Sequence, residues 1–474
     1  MADVIRKDDN TWELPQEKGM HVPGIVYASK KLFEHIKNDK TLEQVRNVAC
    51  LKGIQRASYA MPDAHQGYGF SIGGVAAFDI DEGIISPGGV GYDINCSVRL
   101  LRTDFKVKDI LERRRPLLDL LFNKVPAGVG KGGQVKLSRD QIGEVIEKGS
   151  GWAIDNGYGK AIDAIHTEDS GRLQGADFSK ISEKAVKRGI PQIGTLGAGN
   201  HFLELQKVDR IFDDDIAKKY GIQEEGQVTL MIHCGSRGLG HQVASDYIKK
   251  MEQEYGHSHL PDRELINAPI QSELGQDYFK AMSGAANFAF ANKQMITHWV
   301  RQSFERIMGS SDGMDVVYDV CHNIAKMEKH DIEGKRKAVC VHRKGATRSF
   351  GPGREEIPED YRDVGQPVIL PGSMGTASYV LAGTKKAEEV SFGSTAHGAG
   401  RLMSRHEALR SFRGEQIRDE MQGKGIEVKS SSWKGIAEEA SHVYKDVDEV
   451  VRVSHDVGIG KLVARVVPIA VMKG

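Results

Sequence analysis

An excess of charge of one sign is what this sequence most clearly lacks. Lys and Arg together number 65, Asp and Glu together also number 65, and the formal net charge at pH 7 is +0. A protein without net charge has no global field that steers it towards a polyanion. Any polyanionic ligand therefore has to be met by a local patch of cations.

Cysteines and long apolar runs are scarce as well. The five cysteines are an odd, widely spaced set that gives no disulfide framework and fits a reducing compartment. The segment from Asp3 to Lys18 is polar and lacks the apolar core of a signal peptide, and no later run is long enough to span a bilayer. We expect a soluble cytoplasmic protein with no membrane partner.

Glycine, in contrast, is abundant and concentrated in short motifs. The chain has 54 glycines in 474 residues, which indicates backbone held in unusual geometry around a site. The motifs run from residue 61 to the last residues, so we expect one large domain over 1–474 with one composite site. The polar, helix-patterned region at about 105–190 could be an inserted subdomain.

The motif Asp93-Ile94-Asn95-Cys96 joins a hard oxygen ligand and a soft sulfur ligand. A glycine-rich turn precedes it, and the apolar run Val98–Leu101, which predicts a buried strand, follows it. A thiolate can bridge two cations while the carboxylate serves one of them. The alternative is that Asp93 caps a turn and Cys96 is a small buried residue, which is the usual reading of an isolated Asp-x-x-Cys.

Three further histidines stand at or beside predicted strand ends: His201, His233 and His322. None of the five candidate ligands lies in a zinc-finger spacing, so a structural zinc module is not expected. Five ligands are too many for one open metal site and suit a pair of ions that share Cys96. Taken singly, each histidine is more often a hydrogen-bonded structural residue; together, beside glycines, they favour metal.

His397 has a different setting. The run Ser394–Arg401 predicts the start of a helix, with His397 near its N-terminus and Arg401 one turn later. An imidazole beside free backbone N–H groups suits attack on phosphorus, and Arg401 would neutralise phosphate oxygens. The alternative is a helix-capping histidine with a surface arginine. Asp63, in the turn-rich segment Met61–Gly69, could orient an imidazole as a triad carboxylate does.

Other polar residues accompany these motifs. Asn200 could donate to a phosphate oxygen, and Glu204 could accept from a base amino group or from a metal-bound imidazole. Arg237, four residues after His233, is a phosphate candidate or an ordinary surface residue. The run Gly128–Gly133 lacks the spacing of a phosphate-binding loop and is interpreted as a surface loop.

Together these motifs resemble the RtcB family of RNA ligases, and the resemblance covers nearly the whole chain. The matching motifs are Pro62-Asp63-Ala64-His65, Gly89-Val90-Gly91-Tyr92-Asp93-Ile94-Asn95-Cys96, Gly197-Ala198-Gly199-Asn200-His201-Phe202, His233-Cys234-Gly235-Ser236-Arg237-Gly238, Cys321-His322-Asn323 and His397-Gly398-Ala399-Gly400-Arg401. No single motif is specific, but the set is. The resemblance implies a single compact α+β domain of stacked β-sheets flanked by helices.

The same resemblance implies a GTP- and manganese-dependent enzyme that joins RNA 2′,3′-cyclic phosphate or 3′-phosphate ends to 5′-hydroxyl ends. Its substrates would be tRNA exon halves and broken RNA ends, in tRNA splicing and RNA repair, and archease is an expected partner. The choice of Mn²⁺ comes from the resemblance alone, because thiolate and imidazole ligands do not exclude Zn²⁺ and Mn²⁺ is the weaker binder by affinity order.

The resemblance also implies a role for each site residue. Cys96 would bridge two Mn²⁺ ions, with Asp93 and His201 completing one and His233 and His322 the other. His397 would be guanylylated by GTP, and Asn200 and Arg401 would hold phosphates. The nucleotide would be bound further by Glu204, Ser378, Tyr444, Lys473, Gly398, Ala399 and Gly400, with Tyr444 packed on the guanine.

Two other functions remain open from the residues. A dinuclear metal phosphodiesterase acting on RNA ends would use the same ligands without a nucleotide, and a non-catalytic RNA-binding protein would not need Cys96. Because the chain has no net charge, RNA contacts fall to local cations, for which the candidates are Arg188, Arg237, Lys344, Arg348 and Arg405.

Overall fold

The computed structural model describes residues 4–474 and contains two large sheets with helices around them. The strands are β1 (Ile5–Arg6), β2 (Thr11–Leu14), β3 (Gly24–Tyr27), β4 (Ile54–His65), β5 (Ile72–Asp79), β6 (Ile84–Ile85), β7 (Ser97–Lys106), β8 (Phe202–Ile211), β9 (Gln227–Cys234), β10 (Ala268–Pro269), β11 (Asp315–Cys321), β12 (Asn323–Ile332), β13 (Lys335–Lys344), β14 (Ala346–Arg348), β15 (Pro367–Leu370), β16 (Ser378–Ala382), β17 (Ser394–Ala396), β18 (Glu427–Ser430) and β19 (Lys461–Lys473).

The α-helices lie between these strands, with α3 to α8 following one another between β7 and β8. They are α1 (Lys30–Ile36), α2 (Thr41–Ala49), α3 (Val107–Ile110), α4 (Arg114–Lys124), α5 (Arg139–Lys148), α6 (Ser150–Asp155), α7 (Ala161–Ile165), α8 (Glu183–Gly189), α9 (Asp214–Lys219), α10 (Arg237–Tyr255), α11 (Glu273–Met308), α12 (Lys385–Ser391), α13 (Arg405–Ser411), α14 (Gly414–Gly423), α15 (Trp433–Glu438) and α16 (Val447–Val457). Short 3₁₀ turns lie at Pro87–Gly89, Glu168–Gly171, Phe178–Lys180, Arg263–Leu265, Glu359–Tyr361 and Ser441–Val443.

The two sheets differ in where their strands come from. The seven-stranded sheet has the order β1-β2-β3-β4-β5-β13-β12, and the eight-stranded sheet has the order β11-β7-β9-β8-β19-β16-β15, with β18 added beside β19. One apolar cluster joins Val75 and Val341 of the first sheet to Leu370 and Leu381 of the second, so the sheets are stacked. The predicted α+β domain of stacked sheets and flanking helices is confirmed.

Helix α11 is the longest helix described and lies in the interior. Ser272 caps its N-terminus by accepting a hydrogen bond from the N–H of Gly275, and Gly309, in the left-handed region, ends it. Most of its residues are buried, and it shares an apolar core with α4, α5, α6 and α10 and with one face of the eight-stranded sheet. The sequence predicted this helix over Ala281–Ile307; the Ser272 cap extends it towards the N-terminus.

A buried ion network fixes α11 to the sheet. Arg99 of β7 donates from Nε to Oδ2 of Asp319 of β11 at 2.9 Å, and the ammonium of Lys293 lies 2.5 Å from Oδ1 of the same carboxylate. Lys293 also donates to the hydroxyl of Ser97. All three charged side chains are fully buried. The network therefore holds the strand segments that adjoin Cys96 and His322.

Several sequence predictions of local structure are confirmed. Leu32–Cys50 does contain two short helices, α1 and α2, and strands appear at Ile72–Asp79, Gln227–Cys234 and Lys461–Lys473. The region between β7 and β8 is largely helical, comprising α3 to α8, whereas its status as an inserted subdomain stays a prediction. Within residues 4–474, no helix combines the length and the apolar character needed to cross a bilayer.

Two local predictions are wrong. Met61–His65 is not loop but the end of β4, where the register to β5 shifts between Ala60 and His65, an irregularity that tolerates Pro62. No helix starts at Ser394–Arg401, because Ser394–Ala396 pairs as β17 with β14 and the next helix begins only at Arg405.

The buried network gives a stability prediction. Asp319→Asn leaves the charges of Arg99 and Lys293 buried without a counter-charge, and we expect it to lower the free energy of unfolding by about 3 to 5 kcal/mol. Urea denaturation measures this loss. The control is Glu183→Gln, which removes an exposed partner of Arg139 and should leave the midpoint unchanged. Equal midpoints for the two variants would show that the network does not stabilise the fold.

Candidate functional site

The structure brings the five candidate metal ligands together as two groups with one shared member. The ligand atoms of Asp93, Cys96 and His201 lie within 4.8 Å of one another, and so do those of Cys96, His233 and His322. Cys96 Sγ is 3.5 Å from Nε2 of His201 and 3.2 Å from Nε2 of His233. This division is the one expected for two ions bridged by a thiolate.

Strand register places these ligands at one edge of the eight-stranded sheet. Ser97, next to Cys96, pairs with Cys234 on β9 and with Cys321 on β11. His233 pairs with Phe202, the residue after His201. Because paired residues on neighbouring strands are only about 5 Å apart, side chains distant in sequence meet here. The turn before β7 is closed by the N–H of Cys96, which donates to the carbonyl of Asp93 at 2.9 Å.

The groups around these ligands suit cation binding. His201 Nδ1 lies 3.0 Å from the carbonyl of Leu196, a contact that holds the ring with Nε2 directed at Asp93 and Cys96. Burial, followed by the charge of neighbouring histidines, holds the pKa values of His233 and His322 well below their usual range, so both rings are neutral and able to ligate.

The thiol of Cys96 is the ligand whose ionisation most requires a bound cation. Burial, together with the nearby carboxylate of Asp93, raises its pKa well above the usual range. A bound divalent ion supplies the positive charge that makes a thiolate stable in such surroundings, and its binding displaces the thiol proton. One thiolate, three imidazoles and one carboxylate therefore fit a pair of transition-metal ions.

His397 lies beside this cluster and is held by Asp63, not by a helix N-terminus. The fully buried carboxylate accepts at Oδ2 from His397 Nδ1 at 2.5 Å, from the His397 N–H at 3.0 Å and from the Gly398 N–H at 3.2 Å. Burial alone would raise the pKa of Asp63, but the charge of His397 and these hydrogen bonds lower it. The His397 and His322 ring centres are 4.9 Å apart. The predicted orienting role of Asp63 thus has the geometry that it requires.

His397 lines a small cavity of about 160 Å³. Its wall includes seven of the predicted nucleotide-binding residues: Asn200, Gly398, Ala399, Gly400, Arg401, Tyr444 and Lys473. Gly400 has φ +74°, and a Cβ there would collide with the carbonyl oxygen of Asp63, so this position needs glycine.

Two predicted nucleotide contacts lie behind the wall instead. Ser378 accepts a hydrogen bond from the N–H of Gly372 at 3.0 Å, and Glu204 accepts from the amide of Gln206 at 2.8 Å. Both side chains are buried. Ser378 therefore shapes the loop that forms the wall, and direct contact of either residue with a nucleotide stays a prediction.

Glu439 is a central residue of this cavity that the sequence did not reveal. Its buried carboxylate lies 3.4 Å from Nζ of Lys473 and 3.2 Å from a guanidinium nitrogen of Arg401, and it accepts from the hydroxyl of Tyr444. Burial would raise its pKa, but the charges of Lys473 and Arg401 lower it. Glu439 directly follows the short helix α15, and it belongs to none of the histidine, cysteine or glycine-rich motifs that mark the other site residues, so no sequence signal marked it.

A larger cavity of about 650 Å³ is also lined by His397 and borders the metal-ligand cluster. Four of the five basic RNA candidates line it: Arg188, Arg237, Lys344 and Arg405. Arg348 does not, and that prediction is wrong. Its guanidinium is buried and forms salt bridges with Glu168 at 3.5 Å and Asp169 at 3.2 Å, which are structural contacts.

Comparison with known proteins shows the family of this chain. The family model described as "tRNA-splicing ligase RtcB" matches residues 44–474. The chain belongs to the RtcB family. A Thermococcus kodakarensis protein named tRNA-splicing ligase RtcB is 55% identical over 481 residues, covering 100% of this chain and 99% of that protein. Archaeoglobus fulgidus has one at 53% over 100% of both chains, and Methanococcus maripaludis one at 52% over 99% of both. The family resemblance seen in the motifs is confirmed.

Because Cys96 belongs to both ligand groups of this RtcB-family chain, its loss should affect metal binding more than the loss of Asp93 does. We expect Cys96→Ala to abolish stoichiometric binding of two divalent ions, whereas Asp93→Ala should mainly remove one, because Asp93 belongs to a single group. Elemental analysis after dialysis against Mn²⁺ measures bound metal. Cys50→Ala, at a half-buried cysteine outside both groups, is the matched control. Loss of equal amounts of metal from both site variants would contradict the bridging arrangement.

Glu204 gives a prediction for stability against pH. Burial raises its pKa from 4.5 to about 7, so the folded state holds a proton that the unfolded state releases above pH 4.5. Stability is therefore full below pH 4.5 and is lost as the pH rises to about 7. Going from pH 5 to pH 8 should destabilise the wild type by about 2 to 3 kcal/mol more than Glu204→Gln, at about 1.4 kcal/mol per pH unit. Urea denaturation of both proteins without added metal tests this, and parallel pH profiles would refute it.

Proposed function

We propose that this chain is a GTP- and Mn²⁺-dependent RNA ligase that joins 2′,3′-cyclic phosphate or 3′-phosphate ends to 5′-hydroxyl ends. The observation that supports it most is the position of His397, oriented by Asp63, between a small polar cavity and a cation-lined cavity that borders the ligand cluster. The names of the relatives, tRNA-splicing ligase RtcB, support tRNA exon halves as substrates, and we extend the proposal to broken RNA ends and to the cytoplasm.

His397 acts as the nucleophile in this proposal. With Nδ1–H donated to Asp63, the lone pair on Nε2 is free to attack the α-phosphate of GTP. A P–N bond forms, the bond from the α-phosphorus to the bridging oxygen breaks, and pyrophosphate leaves. Asp63 keeps the ring in the reactive tautomer and stabilises the positive charge that the imidazole acquires.

The small cavity binds the nucleotide. Lys473, Tyr444 and Glu439 form a hydrogen-bonded group at its wall that can hold the guanine, with Tyr444 packed on the base. Asn200 and Arg405 line both cavities, which places them where the phosphates pass His397. Arg401 is already held by Glu439 and by the carbonyls of Glu438 and Met403, so its guanidinium is fixed in place for a phosphate.

In this proposal the metal-ligand cluster binds the phosphate at the RNA end. Cys96 with Asp93 and His201, and Cys96 with His233 and His322, would hold two Mn²⁺ ions. Such a pair supplies charge stabilisation to both the attacking and the leaving oxygen. The nearest ring to the nucleophile is that of His322, so the phosphate at the RNA end can meet both the ions and guanylylated His397.

The proposed reaction uses both cavities. A cyclic phosphate is opened by water to a 3′-phosphate, which takes GMP from His397, so that the P–N bond breaks and a phosphoanhydride forms. The 5′-hydroxyl attacks the RNA phosphorus, and GMP departs. We assign the small cavity to the departing GMP and the larger one to the incoming 5′-hydroxyl, since an in-line displacement keeps the nucleophile and the leaving group apart. Archease stays an expected partner.

Labelling separates this proposal from a dinuclear phosphodiesterase that needs no nucleotide. Incubated with α-³²P-labelled GTP and Mn²⁺, the wild type should take up label stably, and His397→Ala should take up none and join no RNA. His259→Ala, at an exposed histidine, is the matched control and should label as the wild type does. An unlabelled wild type together with a joining-competent His397→Ala variant would refute the ligase and favour the phosphodiesterase.

A further inference from the structure

Three aromatic rings line the larger cavity and have no part in the chemistry above. They belong to Tyr68, Tyr92 and His241. The Tyr68 and Tyr92 rings meet edge to face with centres 5.6 Å apart, and the Tyr92 and His241 rings are stacked with centres 4.9 Å apart and planes at 29°. The tyrosines are half-buried and His241 is exposed. The rings therefore pack against one another while part of their surface faces the cavity.

The three rings come from separate parts of the chain, and buried hydrogen bonds fix the segment that carries Tyr68. Tyr68 follows β4, Tyr92 lies in the turn before β7, and His241 is in the second turn of α10. The buried ammonium of Lys344 donates to the carbonyls of Tyr68 and, at 3.0 Å, of Phe70, which fixes the Tyr68 segment. Its nitrogen is also 5.9 Å from the centre of the Tyr68 ring. These contacts preorganise the rings.

The cations near the rings are available to an anion. Arg188 and Arg237 line the same cavity, and their side chains donate to the neutral groups of Gln242 and Thr195. In the chain from residue 4 onwards, neither arginine has a carboxylate oxygen within 4.0 Å of its charged nitrogen atoms. Aromatic faces beside unneutralised cations are the composition of sites for single-stranded nucleic acid.

The position of the three rings beside the metal-ligand cluster determines which part of a ligand can stack on them. Tyr92 is followed directly by Asp93, so their Cα atoms are about 3.8 Å apart. A flat group stacked at Tyr92 is thus a neighbour of a phosphate held at the ligand cluster. The small cavity, where the guanine of GTP is proposed to bind, does not include these rings.

We propose that Tyr68, Tyr92 and His241 form a stacking platform for an unpaired RNA base next to the break. This inference rests on the proposed RNA-joining function and adds a binding subsite to it. Every nucleobase has a π-face, so the platform tolerates any sequence but requires that the base be unpaired and free to leave a duplex. The enzyme should therefore discriminate between frayed and fully paired RNA ends.

The first test places a reporter base in the RNA and uses the wild-type protein. One oligonucleotide carries 2-aminopurine as the terminal base of a 5′-hydroxyl end, and a second carries it at a 3′-phosphate end. Each is titrated with protein and Mn²⁺ without GTP, so that binding occurs and joining does not. Stacking predicts quenched fluorescence for at least one end, and which end is quenched identifies the strand on the platform. Unchanged fluorescence at both ends overturns the inference.

The second test changes the platform. Tyr92→Ala and Tyr68→Ala should raise KM for RNA by about 10- to 100-fold, the range expected from loss of one stacked base, with a smaller effect on kcat. Phe at either position keeps the ring and should restore both KM and quenching. Phe212→Ala removes an exposed ring elsewhere and is the matched control. Ala variants that bind RNA like the wild type would contradict the platform, as would Phe variants that fail like the Ala variants.

The two proposals fail in different ways. A wild type that neither takes label from GTP nor joins standard RNA removes the proposed function. A wild type that joins RNA but quenches neither reporter, and joins ends with an abasic terminal nucleotide as fast as intact ends, removes only the platform. The abasic substrate needs no protein variant, so it remains decisive even if an Ala variant folds poorly.

Discussion

The register of β11, β7, β9 and β8 is the constraint on which the rest of this molecule depends. These antiparallel strands place Cys96, His201, His233 and His322 at one edge of a sheet although they are scattered through the sequence. A slip of one residue would turn every side chain of a strand to the opposite face. The fully buried ions Arg99, Asp319 and Lys293 oppose such a slip, because displacing one strand would separate their charges. Burial of ions here serves to fix geometry.

His397 is the point at which the two cavities meet. Asp63 fixes one of its ring nitrogens, and His397 lines both the small cavity and the larger cation-lined one. A group transferred through this ring passes from one cavity to the other without leaving the protein. The separation also keeps the two ligands apart, since the rings that could stack an RNA base lie only in the larger cavity.

The sequence was informative where chemistry and local pattern coincide. Apolar runs ending in His233 and near His322 predicted strands, and the strands are present. The segment after Ser394 does not form the predicted helix. A glycine-rich segment has no apolar periodicity from which its conformation can be inferred, and a hydrogen bond to Asp63, which is distant in sequence, sets that conformation. Arg348 resembles the other arginines in sequence, and only its salt bridges separate it from them. Glu439 and the three-ring cluster depend on tertiary contacts that no short motif encodes.

The pair Asp63–His397 spans 334 positions of sequence, and the strands of the eight-stranded sheet are gathered from β7 through β19. Contacts between such distant segments carry a large loop-closure cost and form late in folding. A chain still being synthesised has its thiol and several imidazoles but not the order of strands that brings them together. The complete candidate site therefore exists only once segments that lie hundreds of residues apart have been synthesised and brought together.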